Sequence, residues 1–264
     1  MSRVRGFTLV ELLIVMAIIL LLLALLFPAA RGAWDLALMM RCRNNLRQLC
    51  LAMTSFANDN DGRLPGGEHD QPSLEWIGNP NTIGSERSNL WRCPQQGSLF
   101  PYVGNEKVYM CPKDEQSTAE DTRARGGPLP LEPGTGLGNG RFSYSMSAIL
   151  AGASLALLGQ CRSEYTDLDG NPQGMAVALL VEEDPEHWLG YGYPDGSWCN
   201  IDEFSDRHFG GCNIGYIDGH VEHRQMSPIM TSWDLTLVMP KGKISFGTMG
   251  LNWESGLDDW HGRQ

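Results

Sequence analysis

Positive charge is scarce in this chain. Its 264 residues hold 20 lysines and arginines against 31 aspartates and glutamates, a formal net charge of −11. A protein that grips nucleic acid through its phosphates needs the opposite balance, so that class is excluded. Charged residues of either sign make up only 19% of the chain. Long apolar runs are lacking too, apart from one near the N-terminus, which excludes a polytopic membrane protein. No stretch recurs at a period of about 20–50 residues, so the chain is not a solenoid. There is no Gly-x-Ser-x-Gly elbow, no phosphate-binding loop, no zinc-protease motif and no Cys-x-x-Cys pair. Ser, His and Asp are present, but no spacing orders them into a nucleophilic site, and the chain reads as no enzyme. What it does have is 31 glycines and 15 prolines, too many for an all-helical protein, and 42% hydrophobic residues, too many for a disordered one.

The single apolar run, FTLVELLIVMAIILLLLALLF, extends from Phe7 to Phe27 with Glu11 as its only charge. About 20 apolar residues cross a bilayer as a helix, whereas the apolar core of a secretory signal peptide has about 7–15. Ahead of it stands MSRVRG, with Arg3 and Arg5. Basic flanks stay on the cytoplasmic side, which places the rest of the chain outside the inner membrane. Glu11 is the anomaly: a carboxylate inside a spanning segment is expensive and calls for a partner.

The stretch Gly6-Phe7-Thr8-Leu9-Val10-Glu11-Leu12 resembles the processing signal of type IV prepilins and type II secretion pseudopilins. The resemblance implies cleavage after Gly6 by a membrane prepilin peptidase, and N-methylation of the new N-terminal Phe7. It implies further that Glu11 pairs with the N-terminal amine of a neighbouring subunit during assembly. Pro28 matches the helix kink usual in that family. A buried negative charge that meets a buried positive one fits the physics.

The helix is expected to continue beyond the apolar run. Trp34, Leu38, Leu46, Leu49, Met53 and Phe56 recur at helical spacing, with Arg31, Arg41, Arg43 and Arg47 interleaved, until Asn58-Asp59-Asn60-Asp61-Gly62 stops it. Residues 7–57 then form a rod of roughly 75 Å. The charge is segregated accordingly: residues 7–58 carry +2 and residues 59–264 carry −15.

Beyond residue 62, Pro65-Gly66-Gly67, Gly126-Gly127-Pro128 and Pro133-Gly134-Thr135-Gly136 mark loops. Met175–Val181 reads as a buried strand or the start of one. Cys212–Ile217 and His220–Met226 flank Asp218-Gly219, the pattern of a hairpin with a type I′ turn and with Ile214, Tyr216 and Val221 facing inward. Lys243–Phe246 is a candidate last strand.

His208, nine residues and then Asp218-Gly219 resemble a signature of large pseudopilin-like proteins with a prepilin N-terminus. Tyr109-Met110-Cys111-Pro112 and Phe142-Ser143-Tyr144 resemble that family's middle segments. The implied fold is α+β: a long N-terminal helix, half transmembrane, packed on a mainly antiparallel sheet with long loop insertions. The domain reading is a cleaved leader at 1–6, an anchor and stalk helix at 7–57, a loop-rich insertion at 58–140 and a β-rich head at 141–264.

Metal chemistry has several candidates. His208, Asp218, His220 and His223 include zinc-type ligands. His220 and His223, three apart on a strand, face opposite sides, and Asp218 already has a turn role. A structural role is preferred for them, with His208 bonding across the hairpin or to Glu182. Type II major pseudopilins often hold calcium in a C-terminal loop, and here Asp167, Asp169 and Asp59–Gly62 offer clustered oxygens. Neither stretch satisfies the EF-hand pattern, and both read as Asp-Gly turns. The head is therefore read without a cofactor; the zinc candidates are His208 and His220, and the calcium candidates Asp167 and Asp169. Of the seven cysteines, Cys42 and Cys50 lie too far apart along one helix to bridge each other. Cys93 and Cys111, each in a short apolar run ending in Cys-Pro, are the best pair. Cys161, Cys199 and Cys212 are the other candidates.

The leading expectation is a structural subunit of an inner-membrane-anchored, extracytoplasmic filament or type II secretion-like apparatus. Its partners would be the prepilin peptidase/N-methyltransferase and other pilin-like subunits. The rival is a membrane-anchored module that binds a glycan or metal through its aromatic segment, Trp188 to Pro194 with Trp198, and uses the prepilin signal only for targeting.

Overall fold

A computed structural model describes residues 8–66, 75–78, 94–114, 142–166, 172–183, 196–198, 204–225, 235–239 and 242–245. The chain divides into two compact units, Met1–Met40 and Arg41–Gln264.

The first unit holds the start of α1 (Leu9–Asp59), a helix of 51 residues. Its large apolar side chains from Leu9 to Phe27 are exposed. Among the described residues α1 alone is long and apolar enough to cross a membrane. The helix continues through Pro28, which cannot donate the usual backbone hydrogen bond. Trp34, expected on the buried face, is exposed.

In the second unit, Cys42, Leu46, Leu49, Cys50, Met53, Phe56 and Ala57 of α1 are buried. Their spacing of three and four residues makes one apolar stripe. The helix ends where Gly62 N–H donates to the Ala57 carbonyl (2.8 Å), with Asp61 and Gly62 at positive φ. Asp59–Gly62 therefore forms the end of the helix, and Asp59 accepts from the Tyr102 hydroxyl at 3.0 Å.

The stripe packs on a five-stranded sheet. Its strands are β1 (Tyr144–Ser147), β4 (Ala178–Glu182), β5 (Ser197–Trp198), β6 (Gly211–Tyr216) and β7 (Val221–Gln225), in the order β5-β1-β4-β6-β7. A second sheet holds β2 (Arg162–Thr166), β3 (Pro172–Met175), β8 (Leu235–Met239) and β9 (Gly242–Ser245), in the order β3-β2-β8-β9. Among the described strands every pairing is antiparallel except β1 with β5. The fold is α+β, a long N-terminal helix on a mostly antiparallel head, as the sequence implies.

Two local expectations are corrected. The apolar run Met175–Val181 is not one strand: Met175 ends β3 in one sheet, and β4 begins at Ala178 in the other. At the corner, the Val177 carbonyl accepts from Ile217 N–H (3.0 Å), and Ala178 N–H donates to Ser163 Oγ (3.0 Å). The Asp218-Gly219 hairpin exists, but its turn is not type I′, because only Gly219 has positive φ (84°). Gly219 N–H donates to the Tyr216 carbonyl (2.9 Å) and Tyr216 N–H to the His220 carbonyl (3.0 Å). This is a three-residue loop closed by a glycine bulge. Ile214 and Tyr216 are buried as expected, whereas Val221, on the edge strand, is half-buried.

Candidate functional site

The N-terminal motif is described from Thr8 onward; Gly6 and Phe7 lie outside the described residues. Thr8 precedes the first helical residue. Its Oγ1 accepts from Glu11 N–H (3.2 Å), and Glu11 Oε2 accepts from Thr8 N–H (2.8 Å) and Thr8 Oγ1 (2.7 Å). This is a reciprocal capping box, which satisfies two amides that the helix start would leave bare. Glu11 therefore has a local partner in Thr8, besides the neighbouring amine that the resemblance implies.

The head carries a second constellation, entirely buried. Cys42 comes from α1 and Cys111 from the segment after the helical turn Glu106–Tyr109. Cys111 N–H donates to Ser143 Oγ (3.0 Å), and Ser143 N–H to the Tyr109 carbonyl (2.9 Å). Cys42 and Cys111 form a disulfide across 69 residues, with Cα atoms 5.2 Å apart. This replaces the expected Cys93–Cys111 pair; Cys93 lies outside the described residues. The physical reason is that the buried stripe of α1 points Cys42 at the segment holding Cys111. Cys50, Cys161 and Cys212 are free thiols.

Glu182 ends β4, the central strand, and faces Asn213 on β6. Asn213 donates to it from N–H (2.8 Å) and from Nδ2 (3.1 Å). His208 sits just before β6, where His208 N–H donates to the Gly211 carbonyl (3.2 Å) and Gly211 N–H to the His208 carbonyl (3.0 Å). Phe209 (φ 52°) and Gly210 (φ 75°) lie between them. Positive φ at both central residues defines the type I′ turn, so that geometry occurs here and not at Asp218-Gly219. The turn holds His208 Nε2 3.2 Å from Glu182 Oε1 and 3.3 Å from Cys111 Sγ. His208 thus bonds to Glu182, one of the two partners expected for it.

Electrostatics follow from the burial. Desolvation alone would raise the Glu182 pKa. The hydrogen bond and charge of His208, the charge of Arg207 and the Asn213 amide outweigh it and hold the carboxyl below its ordinary value. Burial, then the Glu182 charge, pushes the Tyr144 hydroxyl and the Cys212 thiol well up. Arg207 is tied down by Asp114 at 3.1 Å.

The other candidates lie elsewhere. His220 is exposed on the hairpin turn beside Asp218 and stacks on Tyr216 with ring centres 4.2 Å apart. It does not join His208. His223 Nε2 lies 2.7 Å from the His208 carbonyl oxygen and so fixes the turn's backbone. Asp167, Asp169 and the segment Trp188 to Pro194 lie outside the described residues. Trp198 is buried against Phe204. The signal for Cys42 as the partner of Cys111 is its place four residues before Leu46 on the same buried apolar stripe.

Residues 1–27 match the family model of the prokaryotic N-terminal methylation motif. That match, with the long apolar helix behind it, supports a type IV pilin-like protein. No curated protein and no solved structure matches the chain.

Proposed function

We propose that the protein is a structural subunit of an inner-membrane-anchored filament of the pilin or pseudopilin kind, cut after Gly6 and N-methylated at Phe7. The observation that carries this reading is the methylation motif at residues 1–27, continuous with a helix able to cross a membrane. Arg3 and Arg5 favour a cytoplasmic N-terminus, with the head on the far side of the membrane. Residues 7–57 then act as anchor and stalk, and residues 58–264 as insertion and head. The work is mechanical: apolar helices bury one another between subunits, and Glu11 offers a negative charge to an incoming N-terminal amine. The partners are a prepilin peptidase, which also methylates, and other pilin-like subunits.

Coexpression of the full chain with and without a prepilin peptidase tests the reading. The intact mass is expected to fall by MSRVRG and to rise by one methyl group only when the peptidase is present. Gly6→Val is expected to block the change. An N-terminus that stays at Met1 alongside an active peptidase would overturn the proposal.

A further inference from the structure

The Sγ atoms of Cys42 and Cys111, a Glu182 carboxylate oxygen and a His208 ring nitrogen all lie within 4.8 Å of one another, and all four residues are buried. A disulfide by itself requires neither neighbour. A buried carboxylate and imidazole need partners, and here Asn213 and their mutual contact satisfy them while holding both against the sulfurs. In the described structure His208 Nε2 points into the cluster, and Nδ1 has no hydrogen-bond partner. Zinc takes thiolate, imidazole and carboxylate ligands in a tetrahedron with bonds of about 2.0–2.3 Å, which sets ligand atoms about 3.3–3.8 Å apart. The distances from His208 Nε2, 3.3 Å to Cys111 and 3.2 Å to Glu182, lie close to that edge length.

We propose that the dithiol form of the head binds one zinc ion through Cys42, Cys111, Glu182 and His208. The ligands come from a helix, a loop pinned by Ser143, the end of the central strand and a two-residue turn. Each is positioned by backbone contacts that do not involve the metal, and once the disulfide is reduced the two sulfurs must move apart to admit the ion. The chemistry balances. Reduction by a trialkylphosphine adds two electrons and two protons to the disulfide, and the phosphine takes its oxygen from water. Zinc then displaces the two thiol protons, while the carboxylate and a neutral imidazole bring their lone pairs. Two thiolates and one carboxylate leave the loaded site with one net negative charge, next to Arg207. The same two sulfurs therefore either bond to each other or share a metal.

The full chain, purified in detergent, is reduced anaerobically with a trialkylphosphine, freed of phosphine and metal, and titrated with Co²⁺ and then Zn²⁺. The expected result is one cobalt per chain, with a thiolate charge-transfer band in the near ultraviolet and tetrahedral bands in the visible, both abolished by one equivalent of zinc. Air-oxidised protein is expected to show neither band. Cys111→Ser and His208→Gln are expected to weaken uptake at least about tenfold, whereas Cys212→Ser, which removes a buried free thiol, leaves it unchanged. Reduced wild-type protein that keeps its circular dichroism but shows no tetrahedral cobalt spectrum would overturn the proposal without reference to any variant. So would unchanged uptake in Cys111→Ser.

Discussion

Gly215 shows how single atoms set the contact between helix and sheet. It sits in β6 beneath the buried stripe of α1, and a Cβ built on it would lie 2.6 Å from Cys50 Sγ and 3.7 Å from Leu46 Cδ2. The missing side chain lets the helix settle on the sheet, and neither neighbour can retreat into solvent because both are fully buried. Gly215→Ala is expected to destabilise the head by about 1–3 kcal/mol through overpacking, read from urea unfolding of the full chain in detergent. Cys50→Ala removes the atom in the way. The double variant Gly215→Ala/Cys50→Ala should therefore be more stable than Gly215→Ala alone, a coupling expected of residues in contact. Additive losses in the double variant would mean that the glycine serves something other than this approach.

At the scale of the element, α1 lives in two environments. Residues 9–27 expose an apolar surface that only lipid or other apolar helices can cover, whereas residues 42–57 bury a stripe within the head. Glu11 belongs to the first environment, and the structure gives it a task of its own in the capping box with Thr8. Two roles for Glu11 can therefore be separated. Gln retains the reach and the acceptor that a capping box needs but not the charge. If Glu11 acts by charge, Glu11→Gln should lose assembly as fully as Glu11→Ala, while both still insert into the membrane. Cysteine crosslinking between neighbouring subunits would measure this, and normal crosslinking in Glu11→Gln would assign the residue to capping alone. The helix and the β6–β7 hairpin were legible in the sequence because their signals are local: a residue period in one, an Asp-Gly between apolar strands in the other. The split of Met175–Val181 was not. A continuous apolar run has no period, and the corner at Ala176-Val177 is set by partners in Ser163 and Ile217, which are distant in sequence. His208 was legible as part of a spaced signature, but Cys42 was not, because which cysteine meets Cys111 depends on how the stripe of α1 lands on the head.

The largest consequence of that landing is a covalent tie in the head. Cys42 and Cys111 are separated by 69 residues, a span that runs from the buried stripe of α1 past the end of that helix at Asp59. A cross-link over such a span acts mainly on the unfolded chain, whose ends it holds together, and the loop-closure relation gives about 4 kcal/mol. Most single substitutions cost less than that, and a whole domain of ordinary stability has only about 5–15 kcal/mol to lose. The oxidised full chain should therefore unfold at a clearly higher urea concentration than Cys42→Ser or Cys111→Ser, with the fluorescence of the buried Trp76 and Trp198 as the probe. The two single variants should match each other, because each removes the same constraint. Reduction of the wild type in the presence of a chelator should bring it down to their level. The chelator matters, since a metal held by the same two sulfurs would restore much of the tie. If Cys42→Ser unfolded at the same urea concentration as the oxidised wild type, the disulfide would contribute nothing. The fold would then rest on the apolar stripe of α1 and the five-stranded sheet alone.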